Sequence, residues 1–197
     1  MSKSGDIVME AYPLFQKGGS GSIPTSPLQF YIKQIPKSLA KHVYAKWHYL
    51  GKQDFVATHN FGAFYGGECL GAISFGPPPT WQVVFSLFGH KDQEGIFDIK
   101  RLAMKDECPK NSESRLIGVA IKLLRKETYV KAIITFADTA QGHVGTIYKA
   151  TNFKYMGLGP QKSDFFINGK QMQRGKSKGK EGVWVPRSRK HRFIMEF

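Results

Sequence analysis

The stretch Ala132-Ile133-Ile134-Thr135-Phe136-Ala137-Asp138-Thr139-Ala140-Gln141-Gly142-His143-Val144-Gly145-Thr146-Ile147-Tyr148 decides how this chain folds. Its first half is rich in β-branched and aromatic residues, which predicts a buried strand. The strand stops at Asp138, polar residues and glycine take over, and a short helix is expected from about His143 to Asn152. Asp138, His143 and Tyr148 then gather at the carboxyl end of a strand, where open α/β sheets hold their ligands. A plain strand-turn-helix connection capped by Asp138 is the competing reading.

Working back from that strand, residues 112–126 predict a helix. Leu116, Ile117, Ala120, Ile121 and Leu124 form its apolar stripe, and Asn111 or Ser112 is a candidate cap. Ile96 to Ala103 alternates and predicts another strand, with Arg101 on a face shared with Ile99 and Ala103. Residues 57–65 and 69–75 predict a hairpin closed by Gly66-Gly67. Residues 81–88, entered through Pro77-Pro78-Pro79, read as a loop, short strand or lid. Leu28 to Ile35 reads as a first strand. Pro36-Lys37-Ser38 opens a helix whose Leu39, Val43, Tyr44 and Trp47 share a face, and which delivers His48-Tyr49 at its end. The expected fold is α/β, a mixed central sheet flanked by helices. Residues 1–27 form a loose N-terminal segment, 28–159 the core, and 160–197 a basic arm or hairpin with a closing strand.

At 197 residues and 41% hydrophobic, the chain can build one core. Its net charge of +14 favours a polyanionic partner, nucleic acid above all. An anionic membrane surface is the competitor, but no run reaches the length of a spanning helix. Residues 160–197 hold ten Lys or Arg against three Asp or Glu, so half the excess charge sits in about a fifth of the chain. Lys176, Lys178, Lys180, Arg187, Arg189, Lys190 and Arg192 are the candidate phosphate contacts. Cys69 and Cys108 form neither a CxxC pair nor a zinc pattern. The start of the chain lacks an apolar signal region, so a reducing cytoplasm is the simplest compartment.

Several blocks carry a resemblance. These are Trp47-His48-Tyr49-Leu50-Gly51, Lys100-Arg101-Leu102-Ala103, Asn111-Ser112-Glu113-Ser114, Ala137-Asp138 with Gly142 to Tyr148, Tyr155-Met156-Gly157, and Pro186 to Arg192. Together they resemble the phage Mom DNA-modification family, on a fold like that of GNAT N-acyltransferases. The resemblance implies an enzyme that places a carbamoylmethyl group on the exocyclic amine of adenine in double-stranded DNA, protecting phage DNA inside the host cell. It also implies an acetyl-CoA-type donor and an iron ion. Carried over by position, the catalytic candidates are His48, Tyr49, Arg101, Asp138 and Tyr148. Arg101, Ser112 and Ser114 are candidates for the cofactor, and His48, His143 and Tyr148 for the metal. One departure is plain. Where acetyltransferases carry a Gly-rich RGxGxG/A segment, this chain has Lys110-Asn111-Ser112-Glu113-Ser114-Arg115, which leaves helix amides and serine hydroxyls to hold phosphate.

The target base must leave the stack, so a pocket with aromatic faces is expected, for which Trp47, Tyr49, Tyr148 and Phe153 are available. The spacing of Trp47 favours helix-face packing, whereas Tyr49 and Tyr148 are as readable one way as the other. Two other functions fit the charge: acetyl transfer to a protein or aminoacyl-tRNA amine, and nucleic-acid binding without catalysis.

Overall fold

The computed structural model describes residues 22–172 and 177–197. One sheet of seven strands organises the molecule, in the spatial order β1-β2-β3-β4-β5-β10-β6. Strand β1 is Tyr31–Gln34, β2 His59–Tyr65, β3 Glu68–Gly76, β4 Ile96–Met104, β5 Ala132–Asp138, β6 Lys154–Leu158 and β10 Lys190–Glu196. All pairings are antiparallel except β4 with β5. The closing strand β10 is internal, lying between β5 and β6.

Two helices cover opposite faces. Helix α1, Lys37–Trp47, buries Leu39, Ala40, Val43 and Tyr44 against Ala72 and Ala103. Helix α3, Ser112–Glu127, buries its predicted stripe of Leu116, Ile117, Ala120, Ile121 and Leu124 against Phe61, Ile73, Phe75 and Ile99. Because successive strand residues face opposite sides, Ala72 serves α1 while its neighbour Ile73 serves α3. Among the described residues, no helix is long and apolar enough to cross a membrane.

Several expectations need correction. Residues 27–29 are not strand. Pro27–Gln29 is a 3-10 turn held by a capping box between Ser26 and Gln29, and the strand starts at Tyr31. Ile23 packs on the core, so the described part of the N-terminal segment is attached; residues 1–21 lie outside the described residues. The stretch Trp81–Phe88 is a helix, α2, ended by Gly89 at φ 77°. The proline-rich entry hid it, but Val84 and Leu87 sit three residues apart and pack on Ile96, Ala132, Ile134 and Ile194. Helix α4 is only Thr146–Ala150, because Gly142 and Gly145 are both left-handed (φ 66° and 74°) and break the chain before it. Asn111 is the N-cap of α3, but at φ 70° and without a side-chain cap bond.

The tail contains a second sheet of three strands, ordered β8-β7-β9. These are β7 Ser163–Ile167, β8 Lys170–Gln171 and β9 Val183–Pro186. They form an insertion in the connection from β6 to β10. The insertion is tied at its base, where the Gly159 amide donates to the Lys190 carbonyl and the Arg187 amide to the Lys162 carbonyl, both at 2.8 Å.

Candidate active site

The site begins with a sheet that opens. Strands β4 and β5 pair in parallel only over Ile96↔Ala132, Phe97↔Ile133 and Asp98↔Ile134. Beyond Asp98 the two strands run on without pairing, β4 as far as Met104 and β5 as far as Asp138. The split faces the carboxyl ends of both strands, the usual side for a ligand in such sheets.

A β-bulge aims Arg101 at this opening. In the β3 pairing, Ser74 lies opposite Arg101 but Phe75 lies opposite Ile99, so Lys100 is the extra residue. The bulge breaks strict alternation. Ile99 therefore joins the α3 face, while Arg101 joins Ala103 on the α1 face. The expected sharing of one face by Ile99 and Arg101 is thus wrong. A buried polar chain fixes the bulge from below. The Tyr44 hydroxyl lies 2.7 Å from Ser74 Oγ, which donates to Asn60 Oδ1 at 2.6 Å. The same Tyr44 hydroxyl donates to the Arg101 carbonyl at 3.4 Å.

Arg101 is 5% exposed. Its guanidinium faces His48 Nδ1 at 3.3 Å, donates to the Gln53 carbonyl at 3.4 Å and lies over the Phe55 ring. Among the described residues Arg101 makes no ion pair. A buried cation held only by long, neutral contacts suits an anion or an electron-rich oxygen brought by a ligand.

His48 caps the carboxyl end of α1, where its amide donates to the Tyr44 carbonyl. Its Nδ1 accepts the Leu50 amide at 3.1 Å and also faces Arg101, which can only donate. The ring proton therefore sits on Nε2. Partial burial first, then the charges of Arg101 and His143, push the His48 pKa down to about 4. At neutral pH, His48 is a neutral ring that presents an Nε2–H donor. Tyr49 stacks on it, with ring centroids 4.5 Å apart, and meets the edge of His143 at 6.0 Å. Tyr49 is 52% exposed, so part of its face is open. Burial and the nearby Asp138 carboxylate raise its phenol pKa, against the opposing pull of Arg101.

Asp138 reaches the same neighbourhood from β5, but its carboxylate is engaged. It accepts the Ala140 amide at 3.0 Å and pairs with Lys190 at 3.7 Å. Burial alone would raise its pKa. The Ser188 hydroxyl, the Ala140 amide and Lys190 outweigh burial and hold it below the usual range. Asp138 is thus the cap of the following turn as well as a fixed negative charge beside Tyr49.

Tyr148 comes from the other face of the sheet. It is packed among Phe153 and Phe193 and is 9% exposed. Its hydroxyl approaches Thr135, whose Oγ1 nevertheless has no partner of full hydrogen-bond geometry. Burial chiefly raises its pKa; the Asp98 and Tyr49 charges add to the rise and Thr135 opposes it.

Asp98 is a residue that pattern reading missed. It is 5% exposed at the last paired position of β4, where the split begins. Lys100 donates to its Oδ2 at 2.9 Å, while Oδ1 has no partner. Burial pushes its pKa up to about 6, against the pull of Lys100 and Lys190. The signal was an acid in phase with Ile96 on an apolar strand face.

Not every candidate fits its expected role. Ser112 is 1% exposed and its hydroxyl donates to the Pro109 carbonyl at 2.6 Å, so it is turned away from any cofactor. Ser114, in the first turn of α3, remains partly exposed. Arg101 lies on the α1 face, away from the amino end of α3 where a pyrophosphate would be held. The donor set does not fit iron. Binding through His48 Nε2 would require a proton on Nδ1, where two donors already point. The Tyr148 hydroxyl is buried in an aromatic cluster. Among the described residues, no three His, Cys, Asp or Glu side chains come together to hold a metal.

The basic candidates are also redistributed by folding. Lys176 lies outside the described residues, and Lys178 and Lys180 are exposed. Arg187 pairs with Asp164 at 3.4 Å, and Lys190 with Asp138. Arg189 and Arg192 donate to the Gly159 and Met156 carbonyls, which ties them to β6.

Comparison with known proteins bears on this geometry. The profile of the Mom protein family matches residues 29–195. The methylcarbamoylase Mom of Escherichia phage Mu is 27% identical over 177 residues, covering 84% of this chain and 71% of that protein. Solved structures of similar fold are acetyltransferases. Arabidopsis thaliana NAA60 in complex with acetyl-CoA matches with a TM-score of 0.57 at 10% identity, over 85% of this chain and 98% of that one. The IAA acetyltransferase of Bacillus cereus gives 0.54 at 12%, over 85% and 99%. A GNAT-family acetyltransferase of Streptococcus pneumoniae gives 0.52 at 11%, over 85% and 99%. The expected GNAT-like sheet is the sheet observed.

Proposed function

The chain belongs to the Mom protein family, and from that premise we propose that it is a transferase that modifies duplex DNA, placing a carbamoylmethyl group on the exocyclic amine of adenine. The observation that carries this reading is the meeting of His48, Tyr49, Arg101, Asp138 and His143 beside the split between β4 and β5. The Mu relative, a methylcarbamoylase, supports the chemical class.

An adenine amine is conjugated with its ring and is a poor nucleophile, so positioning and charge carry most of the task. The half-open Tyr49 ring offers a stacking face to a base taken out of the duplex. The His48 Nε2–H donates to an acceptor on the base or on the transferred group. Arg101, charged and without an ion-pair partner among the described residues, stabilises negative charge that develops on a carbonyl oxygen. Asp138 holds Lys190 in place and balances the charge near Tyr49. Asp98, ionised above about pH 6, is the carboxylate available to take a proton from the amine.

An acyl-CoA donor fits the split and the amino end of α3. That helix starts without a side-chain cap, which leaves first-turn amides and Ser114 for a pyrophosphate. A bound thioester would supply an activated carbonyl. Simple acyl transfer would leave an amide on the adenine nitrogen, whereas a carbamoylmethyl group is joined through a methylene carbon. A thioester could therefore supply at most the two-carbon unit: its thiol would leave to an amine that becomes the carbamoyl nitrogen, and joining the methyl carbon to adenine would also need a two-electron oxidant. Among the described residues, the iron implied by resemblance has no fitting donor set.

The test is mass spectrometry of nucleosides from plasmid DNA of cells that express the protein. Wild type is expected to yield adenine heavier by one carbamoylmethyl group. Arg101→Ala is expected to lower that yield by about 100-fold or more. Unmodified adenine with wild type sinks the reading.

A further inference from the structure

The three-stranded insertion plays no part in the chemistry above, yet its surface is unusual. Val183, Trp184 and Val185 are 65%, 59% and 43% exposed. Single exposed apolar residues are ordinary, but all four positions of this strand are exposed, with Val183 and Val185 on one face and Trp184 on the other, so both faces offer apolar contact. Trp184 is also held firmly. In the ladder it faces Phe165, which is 6% exposed, and the two rings lie 5.0 Å apart. The buried Phe165 supports one side of the indole and leaves the remainder open.

The flanking charge identifies the partner. Lys178 and Lys180 precede the strand, and Arg187 and Arg189 follow it. Asp164 is already paired with Arg187, which leaves Glu181 as the nearby acid. An apolar strand bordered by cations suits a polyanion that carries flat apolar rings, which describes nucleic acid better than protein or a lipid surface. The strand is also tied to the candidate site. The Arg189 carbonyl accepts from the Thr139 amide at 3.1 Å, and Lys190 lies opposite Asp138 in the ladder. Lys190 is six positions after Trp184, at most about 20 Å of extended chain.

We infer that Trp184 is a wedge that enters the base stack of duplex DNA where the target adenine leaves it, while the His48–Tyr49 face receives the extruded base. This inference rests on the proposed adenine modification. A flat indole carried on a supported strand replaces the lost stacking partner and slows return of the base.

The test uses a pool of duplexes with 2-aminopurine at one position between randomised flanks, and needs no donor. Wild type is expected to raise the 2-aminopurine fluorescence on binding. Trp184→Ala should abolish the rise, Trp184→Phe should restore it, and a mismatch opposite the 2-aminopurine should restore it with Trp184→Ala. In expressing cells, Trp184→Ala should lower modified adenine about 10-fold or more. Equal melting temperatures exclude misfolding as the cause. The inference is overturned if Trp184→Ala raises the fluorescence as wild type does. It is overturned equally if the mismatch rescues nothing, or if sedimentation shows the strand buried in a self-association that Trp184→Ala dissolves. If wild type modifies no adenine, the underlying reading fails, and the fluorescence arm still judges the wedge.

Discussion

Arg101 and Asp98 lie three residues apart on one strand and carry opposite charges, yet they do not pair. The bulge at Lys100 sends Arg101 towards His48, and Lys100 itself takes Asp98. Sequence showed Arg101 as a candidate but not where it would point, because period-two reasoning has no means of seeing an extra residue. The two perturbed acids and bases nearby have opposite effects on stability. Asp98 is raised to about 6, so between about pH 4 and 6 the folded chain holds a proton that the unfolded chain has released. Its contribution therefore falls as pH rises through that window, on the order of 2–3 kcal/mol in all. His48 is lowered to about 4, so between about pH 4 and 6.5 the unfolded chain holds the extra proton. Stability from His48 is present above that window and is lost as pH falls through it. The two slopes oppose each other. Asp98→Asn removes one of them, so its melting temperature should drop more steeply than wild type between pH 6.5 and 4.5. Parallel thermal profiles would show that Asp98 carries no such raised titration.

At the scale of elements, legibility followed packing. Helices α1 and α3 have one wet and one dry side; the α3 stripe was readable in full, and the α1 stripe except for Ala40, which is buried, and Trp47, which is only partly so. The β2–β3 hairpin was readable from Gly66-Gly67. Strand β9 is exposed at all four positions, so its sequence has no burial period to read, and an arm and a hairpin fit the tail equally on sequence. Helix α4 is shorter than its sequence suggests because the glycines before it are left-handed stops. Gly145 is the stricter of the two. A Cβ there would meet the Phe193 ring, which packs against Tyr148, whereas nothing lies within 4 Å of a Cβ at Gly142. Both sites cost about 1–2 kcal/mol for a left-handed alanine. Gly145→Ala adds the displacement of a packed ring, for a total of about 2–4 kcal/mol. Its melting temperature should fall by about 5–15 °C, and clearly below that of Gly142→Ala. Equal melting of the two variants would show that Phe193 gives way freely, and that the Tyr148 setting is softer than its packing implies.

Across the whole molecule, the net charge of +14 was legible at once, but its use was not. Folding ties Arg189 and Arg192 to carbonyls and spends part of Arg187 and Lys190 on carboxylates. Of these candidate contacts, Lys178 and Lys180 stay exposed on the turn that leads into the strand carrying Trp184. Cations and indole should then leave different marks on DNA affinity. Each lysine–phosphate contact releases counterions, so it contributes about 0.9 to the slope of log affinity against log salt. Replacing Lys178 and Lys180 together by Gln should flatten that slope by about 2. Trp184→Ala should weaken binding by a similar factor at every salt concentration and leave the slope unchanged, because stacking releases no ions. Arg187→Gln should flatten it by less than one contact's share, since Asp164 already offsets the guanidinium. Fluorescence anisotropy titrations of one duplex over a range of salt would separate these outcomes. A slope that the lysine variant leaves untouched would mean that the backbone is gripped elsewhere on the molecule, with the insertion contributing its apolar strand alone.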